Sequence, residues 1–184
     1  MIVVPSNWRD RLRRDYRVDR PLVQWVRSRP KASFYDLWDE TIDPVWLPHL
    51  AKAGGATKKQ LVFAHCAVAR LCLHLVPEGE ERPRIAIETA EAWTRGKTTY
   101  KKVVMAKKDS WAALNYLSNC PEVAAAAQAA ATGIYSVYYH SVHYTLQAGI
   151  GSQIICATLR KHLPFERPRL KGLTIWQRLA IEEP

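Results

Sequence analysis

The chain has 184 residues, 48% of them apolar and seven of them Trp, which excludes a disordered chain and gives enough material for a core without metal or disulfide support. Its 27 Lys and Arg against 17 Asp and Glu leave a net charge of +10 and an isoelectric point near 9.6. That balance favours an acidic partner: nucleic acid, an anionic membrane face or an acidic protein.

The opening "MIVVPSNWRDRLRR" has too few apolar residues before its charged run to be a signal peptide. Cys66, Cys72, Cys120 and Cys156 show no CxxC spacing and lie among apolar residues, so free thiols and a cytoplasmic location are expected. Between Trp8 and Arg20, six Arg alternate with Asp10, Asp15 and Asp19. Trp8, Leu12 and Tyr16 fall four apart, a narrow stripe on a polar helix that reads as an arm docking on the body.

Pro21 to Gly55 holds Trp25, Trp38 and Trp46 among Pro21, Pro30, Pro44 and Pro48, which predicts short helices broken by turns. Asp43-Pro44 predicts a helix start, with Asp as N-cap. Within "YDLWDETID", Asp36, Asp39, Glu40 and Asp43 form an acidic cluster that reads as a cap and a solvated face.

Thr57 to Val76 is the clearest predicted helix, capped by Thr57, stopped by Pro77 and apolar nearly all round except at His65, Arg70 and His74. The next begins at Glu80-Glu81-Arg82-Pro83-Arg84, where proline suits the first turn, and ends at Gly96. Another runs from Thr98 or Thr99 to about Leu117, with Tyr100, Val104, Trp111 and Leu114 on one face. Pro121 starts a further helix.

From Val123 through Leu159 there is no Asp, Glu, Lys or Arg. A membrane span needs about 20 consecutive apolar residues. Gln128, Gln147, Gln153, His140 and His143 interrupt this stretch, and Gly133, Gly149 and Gly151 divide it, so it predicts buried helices packed through small residues. Ser152 restarts a helix that ends at Pro164.

The tetrapeptide Glu-Arg-Pro-Arg returns at Glu166 to Arg169, too short to mark a duplication, and predicts a turn before a short terminal helix. No segment has hairpin alternation. The fold class is all-α: a compact multi-helix bundle with Ala/Gly-rich, closely packed central helices. The chain divides into an arginine-rich arm with short helices over 1–55, a helical core over 56–164 and a C-terminal turn and helix over 165–184.

The segment "RPRIAIETAEAWTRG" carries Arg82, Pro83, Arg84, Ala86, Ile87, Glu88, Ala90, Ala92, Trp93 and Gly96 in the pattern RPR-x-AI-E-x-A-x-A-W-x-x-G. With the Ala/Cys helix and acidic linker before it, it resembles immunity proteins of bacterial toxin systems, the immunity-five-like group. The resemblance spans about Leu61 to Leu163, and the basic stretch Lys97 to Lys108 departs from the group's more Ala- and acid-rich helix. It implies a helical fold and a non-enzymatic protein that neutralises a toxin or effector by occluding its surface, with no catalytic residues and no cofactor.

Candidate partner-binding residues are Arg82, Arg84, Arg95, Lys101 and Lys102, because Arg forks grip carboxylate or phosphate through two bonds. The same arginines could equally pair with Glu88 or a neighbouring helix end. The alternative partner is nucleic acid, or an anti-defence role in a phage, with Arg11, Arg13, Arg14, Arg17, Lys107 and Lys108 as phosphate contacts. His140 and His143 at i, i+3 have metal-ligand spacing but no acidic neighbour in sequence, so hydrogen-bonded core histidines are expected instead of a metal site. No hydrolase, zincin, Walker or dinucleotide motif occurs, and no enzyme is expected.

Overall fold

Side-chain caps open three of the helices in the computed structural model, which describes residues 1–116, 120, 121, 123–125 and 140–167. After α1 (Trp8–Arg14), Asp19 accepts a bond from the Leu22 N–H and opens α2 (Arg20–Arg27). Ser33 with Asp36, and Thr57 with Gln60, form reciprocal capping boxes at α3 (Phe34–Glu40) and α5 (Lys58–Arg70). Between them lies α4 (Trp46–Ala53). There follow α6 (Arg82–Thr94), α7 (Tyr100–Tyr116), α8 (His140–Gln147) and α9 (Ser152–His162). Among the described residues the only extended pairing is a single bridge, Ile2 with Phe165. The protein is an all-α bundle.

Three boundaries differ from the sequence reading. Asp43 closes a turn, accepting from the Val45 N–H at 2.8 Å, and α4 begins at Trp46. A helix starting at Pro44 would need an N–H from Pro48 to continue its ladder, and proline has none. The long helix from Thr57 ends at Arg70 and tightens into a 3-10 turn over Leu73–Leu75, with Leu75 42% exposed. Pro77 holds Val76 extended, which bars continuation to that point. Finally, α1 stops at Arg14, so Tyr16 leaves the stripe of buried Trp8 and Leu12 and stands 84% exposed.

The face of α7 also differs. Val103, Ala106, Ser110 and Ala113 are buried, while Tyr100 is exposed and Val104, Trp111 and Leu114 are only partly covered. The reason is close approach: α7 lies against Ala86, Ile87 and Ala90 of α6, and small residues let the two axes come together. In the Val123–Leu159 stretch the described buried positions include Val123, Ala124, Ala125, Val142 and Ile155. Residues 126–139 lie outside the described residues, as do 168–184 with the expected terminal helix.

Two apolar clusters meet on α5. Leu61, Ala64 and Val68 join one that gathers Ile2, Trp8, Leu22, Phe34, Leu47, Ile155 and Leu163. Val62, Cys66 and Ala69 join the other, with Ala86, Ile87, Ala90, Val103 and Ala106. Residues on both sides of position 55 thus share one core, and Phe165 packs against it. The N-terminal segment is built into the body.

Candidate functional site

The segment that carries the family resemblance sorts into structural roles. Pro83, Ala86, Ile87 and Ala90 form the buried seam of α6. Gly96, at φ +73°, ends the helix: its N–H donates to Trp93 O at 2.9 Å, and that of Lys97 to Ala92 O at 2.8 Å.

The three candidate arginines are each engaged by carboxylates of the same chain. Arg82 donates Nε to Glu80 at 2.8 Å and its Nη2 pairs with the other oxygen. Arg84 bonds Glu81 through Nε at 2.6 Å and Glu88 through Nη1 at 2.8 Å. Arg95 lies 3.8 Å from Glu91, which also takes two bonds from Arg70 on α5, at 2.8 and 3.0 Å. This edge of α6 is charge-compensated and about half exposed, so opposite charge does not select it.

Beside it runs a groove of about 540 Å³ between α6 and α7, lined by Ile85, Thr89, Ala92, Lys102, Met105 and Ala106, with Glu88 and Asp109 at its rim. Ile85 is 46% and Met105 55% exposed, although both are large and apolar. Lys102 reaches this groove, and Lys101 is exposed one residue before it. Lys108 is exposed, whereas burial lowers the pKa of the partly covered Lys107. The basic stretch is thus split between solvent and body. Sequence reasoning missed Ile85 and Met105; the signal was that Ile85 falls off the Ala86–Ala90 stripe.

A second hollow, about 390 Å³, lies between the end of α1 and α4 and is lined by Arg11, Arg14, Tyr16, Arg17, His49 and Lys52. Three of the four arm arginines named from the sequence meet there. Arg13 turns away and pairs with Asp10 on its own helix. Lys52 bonds Asp15 at 2.5 Å, and Arg11 Nη2 donates to the Lys52 carbonyl at 3.4 Å. The Arg17 guanidinium stacks 4.8 Å from the Tyr16 ring and donates to its hydroxyl at 2.9 and 3.1 Å. Tyr16 and Lys52 were not legible as site residues, because only the turn after α1 brings them together.

The histidines correct the sequence reading. His143 is exposed and 3.1 Å from the Gln147 side chain, and His140 is half-buried, so neither is a core residue. The buried histidines are His49 and His65. Among the described residues no group of three His, Cys, Asp or Glu could hold a metal ion. The acidic cluster is structural: Asp36 caps α3, Glu40 lies 3.5 Å from Arg29, and Asp39 pairs with Arg167. Among the described residues no helix is long and apolar enough to cross a membrane.

No match to this chain is found among family models, curated proteins or solved structures.

Proposed function

We propose that the protein is a non-enzymatic binding protein that neutralises a toxin or effector protein by covering part of its surface. The observation that carries this reading is the α6–α7 groove, where exposed Ile85 and Met105 lie beside Lys102 inside a rim of mixed charge. An apolar centre with a polar rim is the anatomy of a protein interface, and the centre supplies most of the affinity. Lys102 in the groove and exposed Lys101 beside it would steer an acidic contact surface, while Arg84 and Arg95, already engaged by carboxylates of the same chain, would add contact area at its margin. The segment that resembles immunity proteins supplies α6, one wall of this groove. Inhibition of this kind is steric and electrostatic and requires no cofactor.

The test is growth rescue. Co-expression with the product of a neighbouring toxin-like gene should restore growth for the parent chain. Ile85→Glu combined with Met105→Glu should abolish rescue at an unchanged melting temperature, because both side chains are exposed. If the parent chain fails to rescue or to bind that product while both are soluble, the reading falls.

A further inference from the structure

We infer that the hollow between the end of α1 and α4 binds a nucleotide unit, its phosphate on Arg11, Arg14 and Arg17 and its base against the ring of Tyr16. The site shares no lining residue with the α6–α7 groove, so it stands independently of the proposed neutralising role.

Charge comes first. Four cationic side chains, Arg11, Arg14, Arg17 and Lys52, surround the hollow against one carboxylate, Asp15, which Lys52 already engages at 2.5 Å. Among the described residues neither Arg11 nor Arg14 is paired with a carboxylate, in contrast to Arg82 and Arg84 on α6. Arginines set side by side in a concave wall suit a phosphate, whose oxygens accept N–H bonds from Arg11 and Arg14 while Arg17, bonded through Nε and Nη2 to the Tyr16 hydroxyl, adds its charge.

Shape and the aromatic ring narrow the class. A hollow of about 390 Å³ lies within the size range of small-ligand sites, about 300–1,000 Å³. Buried Leu12, His49 and Ala53 form its floor, and the cationic side chains stand exposed or half-exposed around it. Tyr16 is 84% exposed although its ring is a large apolar surface. Arg17 lies over it at 4.8 Å, holding its orientation while leaving most of the ring open. An exposed aromatic ring beside arginines is an arrangement that takes a nucleobase and its phosphate together. A bare phosphate would have no use for the ring.

The same chemistry occurs in a free nucleotide and in a unit of single-stranded nucleic acid. Equilibrium binding with the full chain separates them, using a labelled oligothymidylate, a fluorescent ATP analogue and inorganic pyrophosphate. With the oligothymidylate, binding should weaken as salt rises, with a log–log slope of about −0.7 for the one phosphate held in the hollow. Tyr16→Ala should weaken binding by about tenfold, the loss of one stacked base. Arg14→Glu should weaken it by at least about tenfold. Lys101→Glu, the same charge change on α7, should alter it by less than about twofold. Growth rescue should survive Tyr16→Ala and Arg14→Glu, which keeps the two readings separate.

Binding of the oligothymidylate without the ATP analogue assigns the unit to a strand, and comparable binding of both assigns a free nucleotide; either supports the site. No binding at low salt overturns it. So does an equal loss from Lys101→Glu, which would mean diffuse charge, or pyrophosphate binding as tight as that of the ATP analogue, which would leave Tyr16 without a role.

Discussion

His65 on α5 is fully buried, with Nδ1 2.5 Å from the Ser141 hydroxyl on α8. Burial, with a smaller push from His49, lowers its pKa from 6.5 to about 3. The unfolded chain therefore takes up a proton near pH 6.5 that the folded chain refuses until far lower pH. Stability is full above that pH and falls as pH drops through the window, by about 1.4 kcal/mol per pH unit for one site. His49, also lowered by burial, adds in the same direction. Urea midpoints should fall steadily from pH 7 to pH 4. His65→Asn keeps a polar atom near the Nδ1 position and should start less stable but fall less steeply; an equally steep fall would place the acid sensitivity elsewhere. Gly54 is constrained by close approach instead of charge. A Cβ there would lie 2.5 Å from Phe34 Cζ and 2.9 Å from Phe165 Cε1. The Phe34 ring is held by Trp8, Trp38 and Phe165 at centroid distances of 5.3, 6.0 and 4.7 Å, so it has little room to swing aside. Gly54→Ala should cost about 1–3 kcal/mol by overpacking, read as a lower melting temperature. A neutral result would mean that the aromatic cluster yields.

At the scale of elements, two arginines act as caps at helix ends. Arg160 of α9 donates to the carbonyls of Trp38, Asp39 and Thr41, at 2.8, 3.0 and 2.5 Å, closing the C-terminal end of α3. Arg9 of α1 does the same beyond α2, reaching Val26 O and Arg29 O at 2.9 Å and Ala32 O at 2.6 Å. Arg160→Met keeps much of the packing and removes the donors, so it should destabilise by about 1–3 kcal/mol in denaturant melts. An unchanged midpoint would show that water replaces the cap. These caps mark what the sequence could and could not disclose. Helix starts at Asp19, Ser33 and Thr57 depend on neighbours in the chain, and two of the segments, α5 and α6, were readable because their apolar spacing and stop residues are local. The buried face of α7 was misread because periodicity favoured large Tyr100 and Trp111, whereas packing favoured the small residues facing α6. The candidate sites divide in the same way. Arg82 and Arg84 were visible as a motif, but their partners Glu80, Glu81 and Glu88 turn them into surface ion pairs. Arg11, Arg14 and Arg17 were visible as charge, but the ring and the wall that give them a use come from the turn at Asp15 and from α4, 37 positions away at Lys52.

Across the whole molecule the question is whether two apolar clusters make one folding unit or two. Position along the chain suggests two, with short helices first and longer ones after. Packing argues otherwise, because α5 presents Leu61, Ala64 and Val68 to the first cluster and Val62, Cys66 and Ala69 to the second. Neither cluster can lose α5 without exposing buried residues of the other. The N-terminal segment is tied to the residues after α9 as well: Ile2 N–H donates to Pro164 O at 3.0 Å, and Glu166 N–H returns a bond to Ile2 O at 2.8 Å. Opening the first cluster would therefore release the N-terminal segment, the residues after α9 and the shared helix together, which is the condition for a cooperative transition. The reporters are already distributed for the test. Trp8, Trp25, Trp38 and Trp46 surround the first cluster; Trp93 packs against the second, where the buried thiols of Cys66 and Cys72 also lie, so the emission is read in a Trp93→Phe variant. Tryptophan emission, far-ultraviolet dichroism and the labelling of those two thiols should share one denaturant midpoint. If Cys66 and Cys72 become reactive while the tryptophan signal is still native, the second cluster opens by itself and α5 is a seam between two units.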